Sequence, residues 1–149
     1  MTVDTRRIPA AAGAYALLVR LRRPLNPGVP ALGDRILRPG AYVYCGSAYG
    51  FGGLSARVGR HLRSGKPARW HIDRLTEAGR IEGLAVRIGG RECDLVDALI
   101  ADGATVTVPG FGSSDCRRCS AHLLAARQDF DDVMLNAVVG LGRDATVSL

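Results

Sequence analysis

GAYALLVRLR, residues 13–22, sets the character of the fold. Its side chains alternate so that Tyr15, Leu17, Val19 and Leu21 share one face, and its β-branched and aromatic content fits a strand. Residues 24–33, PLNPGVPALG, are too dense in proline and glycine for a regular element and lead to the Pro39-Gly40 turn, where the chain reverses. AYVYCGSA (41–48) follows as a second strand, with Tyr42 and Tyr44 on one face and Ala41, Val43 and Cys45 on the other. Two such strands around a turn predict an antiparallel pair.

Downstream the period changes. The glycine-rich turn 46–53 hands over to a helix at 54–63, where Leu54, Val58 and Leu62 recur on one face. Arg57 and His61 fall together at one edge of that apolar stripe, and Arg60 and Arg63 are expected to face solvent. A second helix is predicted over 68–78, a third strand over 80–88 and a helix over 91–103 with Leu95, Leu99 and Ile100 inward. Residues 106–108 read as a short strand, 109–119 as a loop and 120–128 as a short element. The reading is an α+β domain: a small, mainly antiparallel sheet of about three strands flanked by helices. It divides the chain into an arm (1–12), the domain (13–128) and an acidic C-terminal extension (129–149) whose apolar run MLNAVVGL covers either this domain or a second copy.

The chain has 149 residues, enough for one domain with its own core. With 47% apolar and 23% charged residues it is neither disordered nor a disulfide-stapled miniprotein. The absence of a long apolar run or an export signal predicts a cytoplasmic protein without membrane contact, and its four cysteines are expected to be reduced. Nineteen of the twenty basic residues are arginine, Lys66 being the exception, and residues 57–74 carry a net +5 while 129–149 carry −3. Arginine forks match phosphate oxygens, so a polyanion-binding surface and a merely solvated basic face both remain open on charge alone.

Chemistry-bearing residues then occur in a definite order: Gly13-Ala14-Tyr15 opening one strand, Tyr44-Cys45-Gly46 in the next, Arg57 and His61 on a helix, Glu92 at the start of a later one. In this order the chain resembles the GIY-YIG nuclease superfamily, and its small single-domain Uri-type branch more closely through YVYCGSA, LSARVGRHL, ARWHIDRL and VPGFGSSDC, over residues 13 to about 125. The resemblance implies a metal-dependent endonuclease acting on DNA or structured nucleic acid. Tyr15 would act as general base or water-orienting phenol with Tyr44 supporting it, although a phenol with a pKa near ~10 needs a nearby metal or arginine to ionise. Arg57 would stabilise the transition-state phosphate with His61 beside it, and Glu92 would hold Mg²⁺ or Mn²⁺, for which one carboxylate plus water and phosphate suffices. Gly46, Arg60, Arg63, Trp70 and His71 are expected to contact substrate. Two features favour a non-catalytic nucleic-acid-binding module instead: the stretch 103–107 lacks the asparagine many relatives carry after the glutamate, and Ala14 and Cys45 replace aliphatic residues of the name motif. Cys116-x2-Cys119-x2-His122 has the spacing of half a zinc site, but a closed site needs four ligands, and Cys93 or His71 would have to come from afar. The preferred reading is a glycine-turned loop, GFGSSDC, packing Asp115 and Cys116 near the active face. No DNA-reading domain is evident, so substrate selection, a targeting partner and oligomeric state stay open.

Overall fold

The computed structural model describes residues 8–26, 36–63, 71–106 and 122–139. Its elements are β1 (Gly13–Leu21), β2 (Gly40–Ala48), α1 (Gly53–Leu62), α2 (His71–Ala78), β3 (Arg80–Ile88), α3 (Glu92–Ala101), β4 (Thr105–Val106), β5 (Leu123–Ala126) and α4 (Asp132–Val139). The strands form one antiparallel sheet in the order β3-β1-β2-β5-β4. Among the described residues the sheet therefore has five strands where the sequence reading has about three. β4 and β5 are two and four residues long, and LLAA lacks the alternation that marks a half-buried strand.

Both faces of the sheet are covered. Tyr15, Leu17, Val19 and Leu21 pack with Leu54 and Val58 of α1 and Ile72 and Leu75 of α2, while Ala14, Ala16 and Leu18 pack with α3 and α4. In α3 the inward stripe is Leu95, Val96 and Leu99. Ile100, expected inward, is 44% exposed, because at 100° per residue it lies beyond the edge of that stripe. Fully burying each such aliphatic side chain contributes roughly 1.5–3 kcal/mol.

The segment read as an acidic extension supplies a wall of this domain: Phe130, Leu135 and Val139 are core residues. α4 lies along β3, the edge strand beyond β1, and treats its exposed backbone as a partner. Asp132 Oδ1 accepts the Leu84 N–H at 3.0 Å, Asn136 Nδ2 donates to the Leu84 carbonyl at 3.1 Å, and Arg87 Nη2 donates to the Val139 carbonyl at the helix end at 2.6 Å. At Leu84 the edge ladder is thereby closed to another strand. Asp131 Oδ1 caps the helix start by accepting the Met134 N–H at 2.8 Å.

Residues 8–12 are likewise fixed. The carbonyls of Pro9 and Ala11 accept the N–H groups of Ser55 and Leu54, and the Ala12 carbonyl accepts that of Gly89. The first turn of α1 is thereby satisfied without a side-chain cap. Gly53, at φ 58°, sits so close to the Ala10 carbonyl that a Cβ there would collide with it.

Asp132→Ala leaves the Leu84 N–H without its acceptor and loosens α4. It is expected to destabilise the chain by about 1–3 kcal/mol in urea denaturation, whereas a free-standing extension would show no change.

Candidate functional site

The β1–β2 register places Tyr15 opposite Gly46. The Tyr15 ring crosses the space a Gly46 side chain would fill, so a Cβ there would collide with the phenol oxygen and ring. Through that gap Tyr15 Oη reaches His61 Nε2 at 2.6 Å, both side chains buried. Written with the phenol as donor, the imidazole takes the tautomer protonated at Nδ1. The rings of Tyr15, Tyr44 and His61 form a triangle with centroids 5.4 Å, 6.1 Å and 6.3 Å apart. His61 is there because α1 is amphipathic: it lies one turn after Arg57 and on the sheet side of the helix.

Burial pushes the Tyr15 phenol well above its ordinary range, and the like charge of Tyr44 adds to this. The Arg57 guanidinium opposes both through its charge and a side-chain hydrogen bond to Tyr15, and it loses. Burial likewise carries Tyr44 up to about 12, reinforced by Cys45 and opposed by Arg57, with Glu92 and Asp73 adding smaller upward contributions. Both phenols are therefore neutral at physiological pH.

Arg60 departs from the sequence reading. Its guanidinium forms a two-pronged ion pair with the fully buried Asp73 of α2, at 2.7 and 3.0 Å, instead of facing solvent. A buried carboxylate needs such a partner, and the i+3 step from Arg57 points Arg60 at α2 rather than outward. Arg63, just after α1, is exposed as expected. Trp70 lies outside the described residues, as do Asp115, Cys116 and Cys119; His71 is the first residue of α2, and its side chain lies outside the description.

Glu92 opens α3, on the opposite face of the sheet from α1. The two faces meet at the open edge of β2. β5 pairs only with Ala41–Tyr44, one more bond joins the Cys45 N–H to the His122 carbonyl, and no described strand pairs with that edge at Gly46–Ala48. A cleft on one side is lined by Ser47, Tyr49, Gly89, Arg91, Glu92 and Cys93. Another is lined by Ala48, Gly50, Phe51, Gly53, Arg57 and Arg60. Between them the loop after β2 presents Tyr49, 58% exposed with its hydroxyl bonded to the Gly90 carbonyl at 2.7 Å, and a fully exposed Phe51. These aromatics escaped the sequence reading, where a glycine-rich turn signals only flexibility, although two aromatics within four residues in a chain with 5% aromatics were the available signal. Arg22, Arg23 and Arg80 also meet, at the far end of β1 from Tyr15, an arginine cluster that sequence distance conceals.

The expectation of reduced cysteines holds at Cys45, which is free and buried, and fails at Cys93, which is disulfide-bonded. Spacing along the chain gave no sign of it, because a pairing partner is chosen by tertiary proximity. Among the described residues no helix is long and apolar enough to cross a membrane.

The chain belongs to the family described as Domain of unknown function DUF123, whose model matches residues 14–143. No curated protein and no solved structure matches it.

Gly46→Ala is expected to cost about 1–3 kcal/mol through overpacking against the phenol. In a Tyr15→Ala background the same change should be nearly neutral, which a double-mutant cycle in denaturant will show. A second expectation concerns alkali. The unfolded chain releases the Tyr44 proton near its ordinary 10.0, the folded chain only at about 12, so stability holds below the first value and falls as pH rises toward the second. Tyr44→Phe should flatten that fall by up to about 1.4 kcal/mol per pH unit, read from unfolding midpoints across the range.

Proposed function

We propose that this protein is a metal-dependent endonuclease of the GIY-YIG type that hydrolyses phosphodiester bonds in DNA. The observation that carries the reading is the buried Tyr15–His61 hydrogen bond at 2.6 Å with Arg57 on the same phenol. Any buried phenol takes a hydrogen-bond partner, but an imidazole on the hydroxyl together with a guanidinium beside it also makes a group able to move a proton. A phenol this desolvated does not act as a base by ionising alone. His61 Nε2 is placed to take its proton, and Arg57 to balance the charge that results, so Tyr15 orients or activates water only as part of this group.

Arg57 also lines the cleft beside Phe51, where it meets a phosphate entering past the end of β2. The Glu92 carboxylate, half-buried on an open cleft, suits a hard divalent cation whose remaining positions are left to water and substrate phosphate. When bound there, Mg²⁺ or Mn²⁺ supplies charge neutralisation to the phosphate and lowers the cost of generating the nucleophile. Tyr49 and Phe51 add surfaces on which unpaired bases stack, worth ~1–3 kcal/mol per base, which favours single-stranded or branched substrates. Arg63 and the Arg22–Arg23–Arg80 cluster supply further phosphate contacts.

One observation favours a second reading. Tyr15 is only 1% exposed, as a phenol in a purely structural hydrogen bond would be, and a non-catalytic nucleic-acid-binding module would keep the same fold and arginines.

The test is cleavage of labelled single-stranded, duplex and branched DNA by the full chain with Mg²⁺ or Mn²⁺. Tyr15→Phe, His61→Ala, Arg57→Ala and Glu92→Gln are each expected to lower cutting by ~10²-fold or more without loss of circular-dichroism signal. Salt-sensitive binding without cutting supports the second reading. Cutting unchanged in all four variants, or neither cutting nor binding, overturns the nuclease assignment.

A further inference from the structure

Outside the tyrosine site, one set of metal-ligating side chains among the described residues is brought together by the fold. Glu92, Cys93 and His122 each present a ligand atom, and these atoms lie within 4.8 Å of one another. Cys93 Sγ and His122 Nε2 are 4.0 Å apart, and both residues are buried. They come from elements distant in sequence: Cys93 from the first turn of α3, His122 from the residue just before β5, anchored by its carbonyl to the Cys45 N–H of β2.

The chemistry of this pair differs from that of a nuclease's hard-cation site. A thiolate and an imidazole suit zinc and are poor ligands for Mg²⁺. On one tetrahedral zinc, with Zn–S about 2.3 Å and Zn–N about 2.0–2.1 Å, sulfur and nitrogen lie roughly 3.6 Å apart, a few tenths of an ångström from the observed separation. The objection that a further ligand must come from afar is met by α3, which carries Cys93 to His122.

We propose that Cys93 and His122 are ligands of a zinc site that ties the start of α3 to the entrance of β5. The site exists in the reduced protein. With Cys93 disulfide-bonded, its sulfur is no thiolate. A dithiol reductant transfers two electrons and two protons to that disulfide, closing its own sulfurs to a disulfide and leaving two protein thiols, whose protons zinc then displaces. Zinc here also lies within reach of the Glu92 carboxylate, which belongs to the same group of ligand atoms, but the site stands whether or not the chain cuts nucleic acid.

The full chain, purified with a dithiol reductant and equilibrated with zinc, is expected to retain one zinc per chain by elemental analysis. Substituted with cobalt, it should show thiolate-to-metal charge-transfer absorption. Cys93→Ser should abolish that Cys93 contribution, and Cys93→Ser and His122→Ala should each weaken zinc binding by more than tenfold against a chromophoric chelator. Because either variant can fail to fold, His122→Cys serves as the control: it keeps a ligand at the position and should keep the zinc. Reduced wild-type protein that holds no zinc, zinc retained with undiminished affinity by both ligand-removing variants, or equal binding by the oxidised protein would each overturn the proposal.

Discussion

The Tyr15 ring lies over the backbone of Gly46 on the neighbouring strand, and this contact organises much of the rest. It requires the β1–β2 register that sets these residues opposite each other, and a residue without a side chain at position 46. It also requires α1 to lie on the same face, so that His61 meets the phenol oxygen at 2.6 Å. A one-residue slip of β1 would turn Tyr15 toward the α3 face, into a layer filled by alanines, Leu18 and Val43, and one of β2 would set Cys45 or Ser47 opposite it in place of Gly46. The register is defended on both sides, because β1 is buried on both faces along nearly its whole length.

The sheet is therefore a partition. Tyrosines, His61 and Arg57 belong to the α1 side and Glu92 to the α3 side, and a continuous sheet would keep them apart. They come within electrostatic reach because β5 covers only the first half of β2. The effect of Glu92 on both Tyr44 and Cys45 records that proximity. The loop after β2 occupies the same edge, with Tyr49 tied across it to Gly90 and residues 8–12 fastened behind it to α1 and Gly89.

Electrostatics in this region are set by desolvation more than by charge pairing. Tyr15 and Tyr44 stay neutral even with a guanidinium beside them, since removing a phenolate from water costs more than Arg57 returns. Asp73 meets the same problem differently: it is fully buried and takes the fork of Arg60 as its counter-ion. Neighbouring arginines on one helix thus serve different ends. Arg57 is directed at the tyrosine cluster and the cleft, while Arg60 ties α1 to α2.

Much of this was legible in the sequence because it depends on local periodicity. The alternation of GAYALLVRLR and AYVYCGSA fixes two strands and assigns Tyr15 and Tyr44 to one face. The Leu54–Val58–Leu62 stripe fixes α1 and puts Arg57 and His61 on one edge of it. What the sequence could not determine depends on contacts between distant segments. Two- and four-residue strands form only because β2 offers an edge, so the sheet has five strands. Arg60 turned inward because α2 carries a buried carboxylate, and the C-terminal apolar run became a core helix because β3 had an open face and an edge to cap. The approach of Cys93 to His122 is of the same kind: neither residue's local pattern announces the other, and only the packing of α3 beside β5 brings sulfur and imidazole to 4.0 Å.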